Sequence, residues 1–509
     1  MHGATQTLRE LLAGLQGCRV TGDDQLAVPG VAYHSQDVIP GGIFVALKGA
    51  RTDGHRFLDA ALSRGAKVIV TEQDLTPPPG VTVVRVPDAR LALAHLAAGF
   101  YRHPSRELVL VGITGTNGKT TTTYLLEAIL DAAGYRAGVV GTVNYRVGSR
   151  TWPAPVTTPE SLDLQRLLRE MRSHDVSHVF LEVSSHAMDL RRVDCASFAA
   201  GVFTNLSQDH LDYHRKMDEY FAAKSRLFLE ILANGDAAVG IAVLNLDDPR
   251  GEELHRRVSV PTLTYGHHPR SQVRPLSNRF RTHGLEARLA TPAGEIEINS
   301  RLVGPFNLAN ILAAAATALA LGLKPEEVAR GIAALKGVPG RLERFGPLEG
   351  PAIFVDYAHT PAALASALKA LRALNFSRII TVFGCGGDRD RRKRPLMGQA
   401  AAGASTLLVV TSDNPRSEDP LTIIQEIETG LKAMNFPRLT TAAAKKGKSG
   451  YLVVPDRREA IRLAAELARP GDAVLVAGKG HEDYQIRGKE RLHFDDREEV
   501  REALQEYHG

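Results

Sequence analysis

LVLVGITGTNGKTTTTYLLEAIL, residues 108–130, is the stretch on which the fold turns. Leu108 to Thr114 is an unbroken apolar run, the pattern of a strand buried on both faces. Gly115 to Thr121 follows as a glycine-rich turn, GTNGKTT. Leu125, Leu126, Ile129 and Leu130 then share one face of a helix that the spacing ends near Gly134. Strand, glycine turn and helix in this order make a phosphate cradle. Glycine lets the backbone wrap an oxyanion without a Cβ clash, and a helix N-terminus offers N–H groups and a positive dipole end. Lys119 suits the β/γ-phosphate charge and Thr120 suits Mg²⁺. Position 113 is Ile where the longer G-x-x-x-x-G-K spacing wants Gly, so the loop reads as a shortened variant. The plainer alternative is a glycine turn with a surface lysine. The strand before it, the helix after it and the Lys-Thr pair weigh against that.

Outward from this core, HVFLEVS (178–184), GVFTNL (201–206) and IAVLNL (241–246) repeat the buried-strand pattern, which implies parallel βαβ units. Gly337-Val338-Pro339-Gly340 reads as a linker. Beyond it AIFVDY, IITVFG, TLLVVTS and AVLVAG, starting at Ala352, Ile379, Thr406 and Ala473, predict a second, Rossmann-like sheet. Before residue 104 the runs are short, as at Gly42–Leu47 and Val81–Val86, among Gly- and Pro-rich turns. The expected class is α/β in three domains: a small one at 1–103, a central phosphate-loop parallel-sheet domain at 104–336, and a Rossmann-like domain at 337–509. Ala442–Gly450 reads as an exposed basic loop.

The 509 residues are 44% hydrophobic and 23% charged, ordinary for a globular chain. A net charge of +5 suits anionic small molecules and gives no reason to expect nucleic acid. Cys18, Cys195 and Cys385 are too few and too scattered for a disulfide framework. MHGATQTLRELLAGL has a helical pattern with Glu10 inside its apolar stretch, unlike a signal peptide. No apolar run reaches ~18 residues. The expectation is a cytoplasmic protein without membrane insertion.

Three further motifs stand out, the first ending a predicted strand, the second following another and the third coming shortly after. They are EVSSH (182–186), QDHLDYH (208–214) and YFAAKSRLF (220–228). Ligands bind at the carboxyl ends of parallel strands, so Glu182 and His210 could meet the phosphates from different strands. His210 and His214, four apart, could hold zinc if helical, but no third ligand is evident. RDRRKR (389–394) reads as a solvated or substrate-facing loop, since it lacks the aromatics of a nucleic-acid surface.

GTNGKTT, EVSSH, DHLDYH and the AK-x-x-LF run, in this order, resemble the Mur ligase family of peptidoglycan amino-acid ligases. GPFNLAN (304–310), GRLE (340–343) and DYAHTP (356–361) extend the likeness from about residue 108 to the C-terminus. Folylpolyglutamate synthetase is a more distant relative. Within the family the pattern is most similar to the branch that adds the third residue of the stem peptide.

The resemblance implies ATP binding by Gly115, Thr116, Asn117, Gly118, Lys119, Thr120 and Thr121. It adds Asn307, Arg341 and Asp356 as adenine and ribose contacts. It implies two Mg²⁺ ions, one held by Thr120 and Glu182 and one by Glu182, His210 and Lys224 as a carbamate, with Lys119, Glu182, His210 and Lys224 catalytic. A free lysine, pKa about 10.4, would repel a metal, whereas a carbamate oxygen would ligate it. Without the resemblance, Lys224 reads as an exposed helix lysine. The UDP-N-acetylmuramoyl dipeptide would contact Ser35, Thr157, Thr158, Ser184 and Arg192. Ser35 stands in His34-Ser35-Gln36 where the family has Asp-Ser-Arg, and Leu190 stands where some members have Gln.

DNPR, Asp413 to Arg416, implies meso-diaminopimelate as the amino acid. Its distal end carries a carboxylate that Arg416 could grip with two parallel hydrogen bonds. Arg389, Asp413, Asn414, Pro415, Gly478 and Glu482 would complete that pocket, with Glu482 accepting the distal ammonium. The implied reaction runs through an acyl phosphate in a monomer. Lysine or ornithine as the nucleophile, a sister ligase, and a phosphate-loop regulator without ligase activity are the alternatives.

Overall fold

The computed structural model describes residues 6–49, 52–208, 211–233 and 240–508. His210 therefore lies outside the described residues. The chain divides into two compact units. One runs to Arg274 and adds Ala313–Glu327, and the other holds Pro275–Leu312 and the chain from Val328 onward.

Among the described residues the first unit contains two larger sheets, besides the antiparallel pair Gln6–Thr7 with Ala27–Val28. The smaller has the order Arg19–Thr21, Thr82–Arg85, Val68–Thr71, Ile43–Val45, Val31–Ala32, with its first strand antiparallel. Its strands pack against Ala89–Phe100, capped by the Asp88 carboxylate. The larger sheet is parallel through Ala137–Val140, His178–Glu182, Val109–Thr114, Ala200–Phe203, Ile241–Asn245 and Thr262–Tyr265, in that spatial order. The chain leaves Val109–Thr114 for one side and later returns to the other, so a switch point lies at the carboxyl end of that strand. The strand is buried from Leu110 onward, as its apolar run predicts. The helix after the glycine turn is Lys119–Ala132. Leu125, Leu126, Ile129 and Leu130 are fully buried, each contributing about 1.5–3 kcal/mol. The antiparallel excursion through Tyr145–Val147 and Arg150–Trp152 was not legible in the sequence.

The second unit is built on a sheet ordered Glu343–Phe345, Ala352–Asp356, Ala473–Ala477, Ile379–Phe383, Leu407–Val410, Gly450–Val453. All but the first strand are parallel, so the Rossmann-like expectation holds. Gly284–Thr291 and Gly294–Ser300 form an antiparallel pair that sequence reading missed, although Leu285, Ala287 and Leu289 and then Ile296 and Ile298 alternate as buried positions.

Four local readings need correction. The N-terminal helix is only Leu8–Leu12, and Glu10 closes a capping box with Thr7 rather than interrupting an apolar face. The 337–340 segment is a packed turn, with Val338 fully buried and the Gly340 N–H donating to Glu343 Oε2 at 2.9 Å. Within Ala442–Gly450 the chain finishes a short helix, Thr441–Lys445, capped by Thr440 and anchored by buried Ala444. The RDRRKR run starts a helix, Lys393–Ala402, in which Arg394 is 0% exposed and bonded to Glu418 and Glu426. It is therefore partly internal framework, because two carboxylates compensate the buried guanidinium.

Candidate active site

The glycine turn sits where Val109–Thr114 ends, and neighbouring strand ends hold it in shape. Gly115 has φ +138°, and a Cβ there would lie 1.9 Å from Thr204 Oγ1. Only glycine fits so close an approach. Asn205, just past Ala200–Phe203, accepts the Thr116 N–H at its carbonyl (2.8 Å) and the Asn117 N–H at Oδ1 (3.0 Å). Thr204 Oγ1 donates to the Asn117 carbonyl at 2.6 Å. Gly118 caps the helix at φ +90° and Thr120 and Thr121 lie buried in its first turn. The Lys119 ammonium donates to the carbonyls of Gly115 and Thr116, both at 2.9 Å. Thr204 and Asn205 were missed in the sequence. Their signal was available: GVFTNL places them at the carboxyl end of the adjacent strand.

Glu182 ends the neighbouring strand, registered opposite Ile113, two residues before the turn. It is 1% exposed, and its carboxylate accepts the Thr142 N–H (3.1 Å) and hydroxyl (2.9 Å). The Thr142 hydroxyl also bonds Thr157 at 3.1 Å. Thr158 donates to the Glu182 carbonyl (2.7 Å) and accepts the Ser184 N–H (3.1 Å). Arg192 donates to the Thr158 carbonyl at 3.0 Å. The structure thus links Thr157, Thr158, Ser184 and Arg192 to Glu182 in one network. Glu160 joins it, pairing with Arg192 at 3.4 Å and with Arg90 of the smaller sheet's helix at 3.2 Å. Ser35 is half-buried in the short turn Ser35–Asp37 of the small-sheet region. Tyr33, two residues earlier, donates to Asp163 at 2.6 Å.

Lys224, expected from pattern alone on an exposed helix face, is 1% exposed and donates to the Gly115 carbonyl at 2.9 Å. It lies 4.6 Å from the Tyr220 ring centroid, and the Tyr220 hydroxyl bonds the Thr116 hydroxyl at 3.2 Å. His214 is buried among the rings of His186, Tyr213 and Tyr220. Among the described residues no group of three or more His, Cys, Asp or Glu side chains could hold a metal. The Thr120 hydroxyl in the first helical turn and the Glu182 carboxylate at the neighbouring strand end are hard oxygen donors. Such an oxygen set fits Mg²⁺, which takes its other ligands from phosphate and water.

In the second unit, Asp356 ends Ala352–Asp356, and its carboxylate accepts the N–H groups of Leu342 (2.7 Å) and Ala358 (2.9 Å). Burial pushes its proton affinity up. Arg341 lies over the Tyr357 ring at 5.0 Å. Asn307, fully within the helix Pro305–Ala320, donates to the Val303 carbonyl at 2.8 Å.

Asp413, Asn414 and Pro415 are buried just past Leu407–Val410. Arg416 is half-buried at φ +53° and donates to the Gly387 carbonyl at 2.7 Å. A Cβ on Gly386 would lie 2.9 Å from Arg416 Nη1, 3.7 Å from Arg389 Cγ and 3.8 Å from the Asn414 carbonyl oxygen, so Gly386 lets these three converge. Arg389 itself is exposed. Asn414 Nδ2 donates to Glu482 Oε2 at 3.1 Å. Gly478 follows Ala473–Ala477 and donates its N–H to the Asp356 carbonyl at 3.0 Å.

A parallel sheet with a glycine-rich turn at its switch point and a buried carboxylate on the next strand has the architecture of a phosphate-loop nucleotide enzyme. Three family descriptions match the chain. Mur ligase middle domain covers residues 113–318, the glutamate ligase domain 340–480, and the Mur ligase catalytic domain 27–101. The chain is 49% identical to a UDP-N-acetylmuramoyl-L-alanyl-D-glutamate--2,6-diaminopimelate ligase of Geobacter metallireducens, across 98% of both chains. A ligase of the same name from Geobacillus thermodenitrificans is 43% identical over 98% of this chain and 99% of that one. A solved structure of a ligase so named superposes with TM-score 0.72 at 31% identity, covering 99% of this chain and all of the other. The chain belongs to the Mur ligase family.

Proposed function

We propose that the protein joins an amino group of meso-2,6-diaminopimelate to the D-glutamate carboxyl of UDP-N-acetylmuramoyl-L-alanyl-D-glutamate, using ATP, in peptidoglycan precursor synthesis. The observation that carries the reading is the convergence of DNPR, Arg389 and Glu482 around Gly386 and Asn414, at strand ends of the second unit. The name borne by the nearly full-length relatives supports the same substrates.

In this reading the N–H groups of Gly115–Thr121 and the Lys119 ammonium hold the ATP phosphates. Thr120 and Glu182 would hold Mg²⁺, which when bound neutralises phosphate charge as the γ-phosphoryl group moves. Lys224 would serve as a carbamate: CO₂ adds to the neutral amine and a proton leaves. Its burial beside the Gly115 carbonyl supports the role, since a carbamate there would face the phosphates. His210 is assigned beside it from its motif. Asn307, Arg341 and Asp356 would contact the nucleoside. Ser35, Thr157, Thr158, Ser184 and Arg192 would position the muramoyl dipeptide. Its carboxylate attacks the γ-phosphorus, ADP leaves, and the amine displaces phosphate from the acyl phosphate. Charge placement and orientation supply the catalysis. We assign substrate, nucleotide and amino-acid binding to segments 1–103, 104–336 and 337–509, in a cytoplasmic monomer.

The deciding experiment is phosphate release with ATP, the muramoyl dipeptide and one amino acid at a time. Turnover with diaminopimelate and none with lysine or ornithine is expected. Turnover with lysine alone refutes the Arg416 assignment, and amino-acid-independent ATP binding without turnover refutes ligation.

A further inference from the structure

Lys479, the lysine of GKGHE, has 0% of its surface exposed. A buried ammonium persists only where acceptors surround it. Here they are Asn414 Oδ1 at 3.3 Å and Glu482 Oε2 at 3.4 Å, with the Tyr484 ring centroid 5.4 Å away. Asn414 closes the triangle by donating Nδ2 to the same Glu482 oxygen at 3.1 Å. Its Oδ1 also accepts the Ile486 N–H at 2.9 Å. These contacts settle the amide's orientation, oxygen towards two donors and nitrogen towards the carboxylate.

The other groups around Glu482 do not replace this cation. Asp413 is a like charge that disfavours the carboxylate form. Arg457 is fully buried and committed to Asp496, with both hydrogen bonds at 2.7 Å. Tyr357 and Tyr484 are neutral neighbours, their hydroxyls raised by burial. Burial favours protonated Glu482, and Lys479 works against that.

We infer that Lys479 is a positioning residue for the incoming amino acid: by pairing with Glu482 it holds that carboxylate as an anion placed to pair with the substrate's distal ammonium. It acts without touching the reacting atoms. The inference rests on the assignment of Glu482 to the amino-acid pocket proposed above.

The test is steady-state kinetics of the full-length Lys479→Met, Glu482→Gln and doubly substituted enzymes. Lys479→Met should raise KM for diaminopimelate roughly ten- to hundred-fold, the loss expected for a hydrogen bond to a charged group. KM for ATP should stay near wild type. In Lys479→Met, KM for diaminopimelate should also rise more steeply with falling pH than in the wild type, because burial favours protonated Glu482 and the cation opposing it is gone. Because Lys479 acts through Glu482, the double variant should match Glu482→Gln alone. Removing both charges together keeps the pocket neutral, so this comparison stands even if Lys479→Met alone fails to fold. A double variant with KM about ten-fold above Glu482→Gln overturns the inference, as does a Lys479→Met enzyme with wild-type KM. If Glu482→Gln itself leaves KM for diaminopimelate unchanged, the pocket assignment fails and the inference with it.

Discussion

The turn at Gly115–Thr121 and the DNPR pocket both sit at carboxyl ends of parallel strands, yet they are made of different material. Around the turn, side chains bond mostly main chain: Thr204 and Asn205 hold Asn117, and the Lys119 and Lys224 ammoniums donate to the Gly115 carbonyl. Around DNPR the framework is ionic: Arg394 with Glu418 and Glu426, Lys479 with Glu482, Arg457 with Asp496. A polyphosphate is gripped well by many N–H dipoles, with little need for selectivity among them. A zwitterionic side chain must be distinguished from a plain ammonium, which requires fixed charges of both signs.

That contrast can be broken experimentally. The largest effect is expected at the turn: Glu182→Gln should lower kcat about 10³-fold, as for loss of a group stabilising transition-state charge. An effect under ten-fold would remove Glu182 from the metal site. Lys224→Ala should lose most turnover and regain part of it with added small carboxylates, which supply the missing anionic oxygen. Wild-type phosphate release in that variant would refute the carbamate. At the DNPR end, Arg416→Met should raise KM for diaminopimelate about 10²-fold and leave KM for ATP unaltered, the loss expected if the proposed bidentate pair with the distal carboxylate is removed. A proportional rise for both substrates would erase the distinction between the regions.

The smallest effect is on stability. Glu418 is held down to about 2 by the Arg394 guanidinium and the Asp388 N–H. A depressed carboxyl stabilises the fold fully above its ordinary value of 4.5, and that stabilisation fades as pH falls towards 2. Thermal midpoints across this interval should drop less steeply in Glu418→Gln than in wild type. Parallel curves would mean that the pair does not report on folding.

Legibility followed the same division. GTNGKTT, its strand and its helix were readable because apolar periodicity and turn chemistry are local properties. Glu182 was readable because it ends a recognisable strand. Lys224 was misread by pattern alone: the helix looks amphipathic, and only its packing shows the lysine turned inward. Arg394 was taken for loop surface because its carboxylate partners lie 24 and 32 residues away. Lys479 stands only three residues before Glu482, but nothing local shows that it is buried, and its other partner, Asn414, is 65 residues distant.

The amino-acid order alone was enough for the α/β class, the glycine-rich turn between strand and helix, and the family, since each depends on residues close together in the chain. Tertiary structure alone decided which charges are internal, that Lys224 reaches the Gly115 carbonyl, and that Lys479, Asn414 and Glu482 meet. Burying a charge is tolerable only beside its partner, and that partner is chosen by how strands pack, not by spacing along the chain.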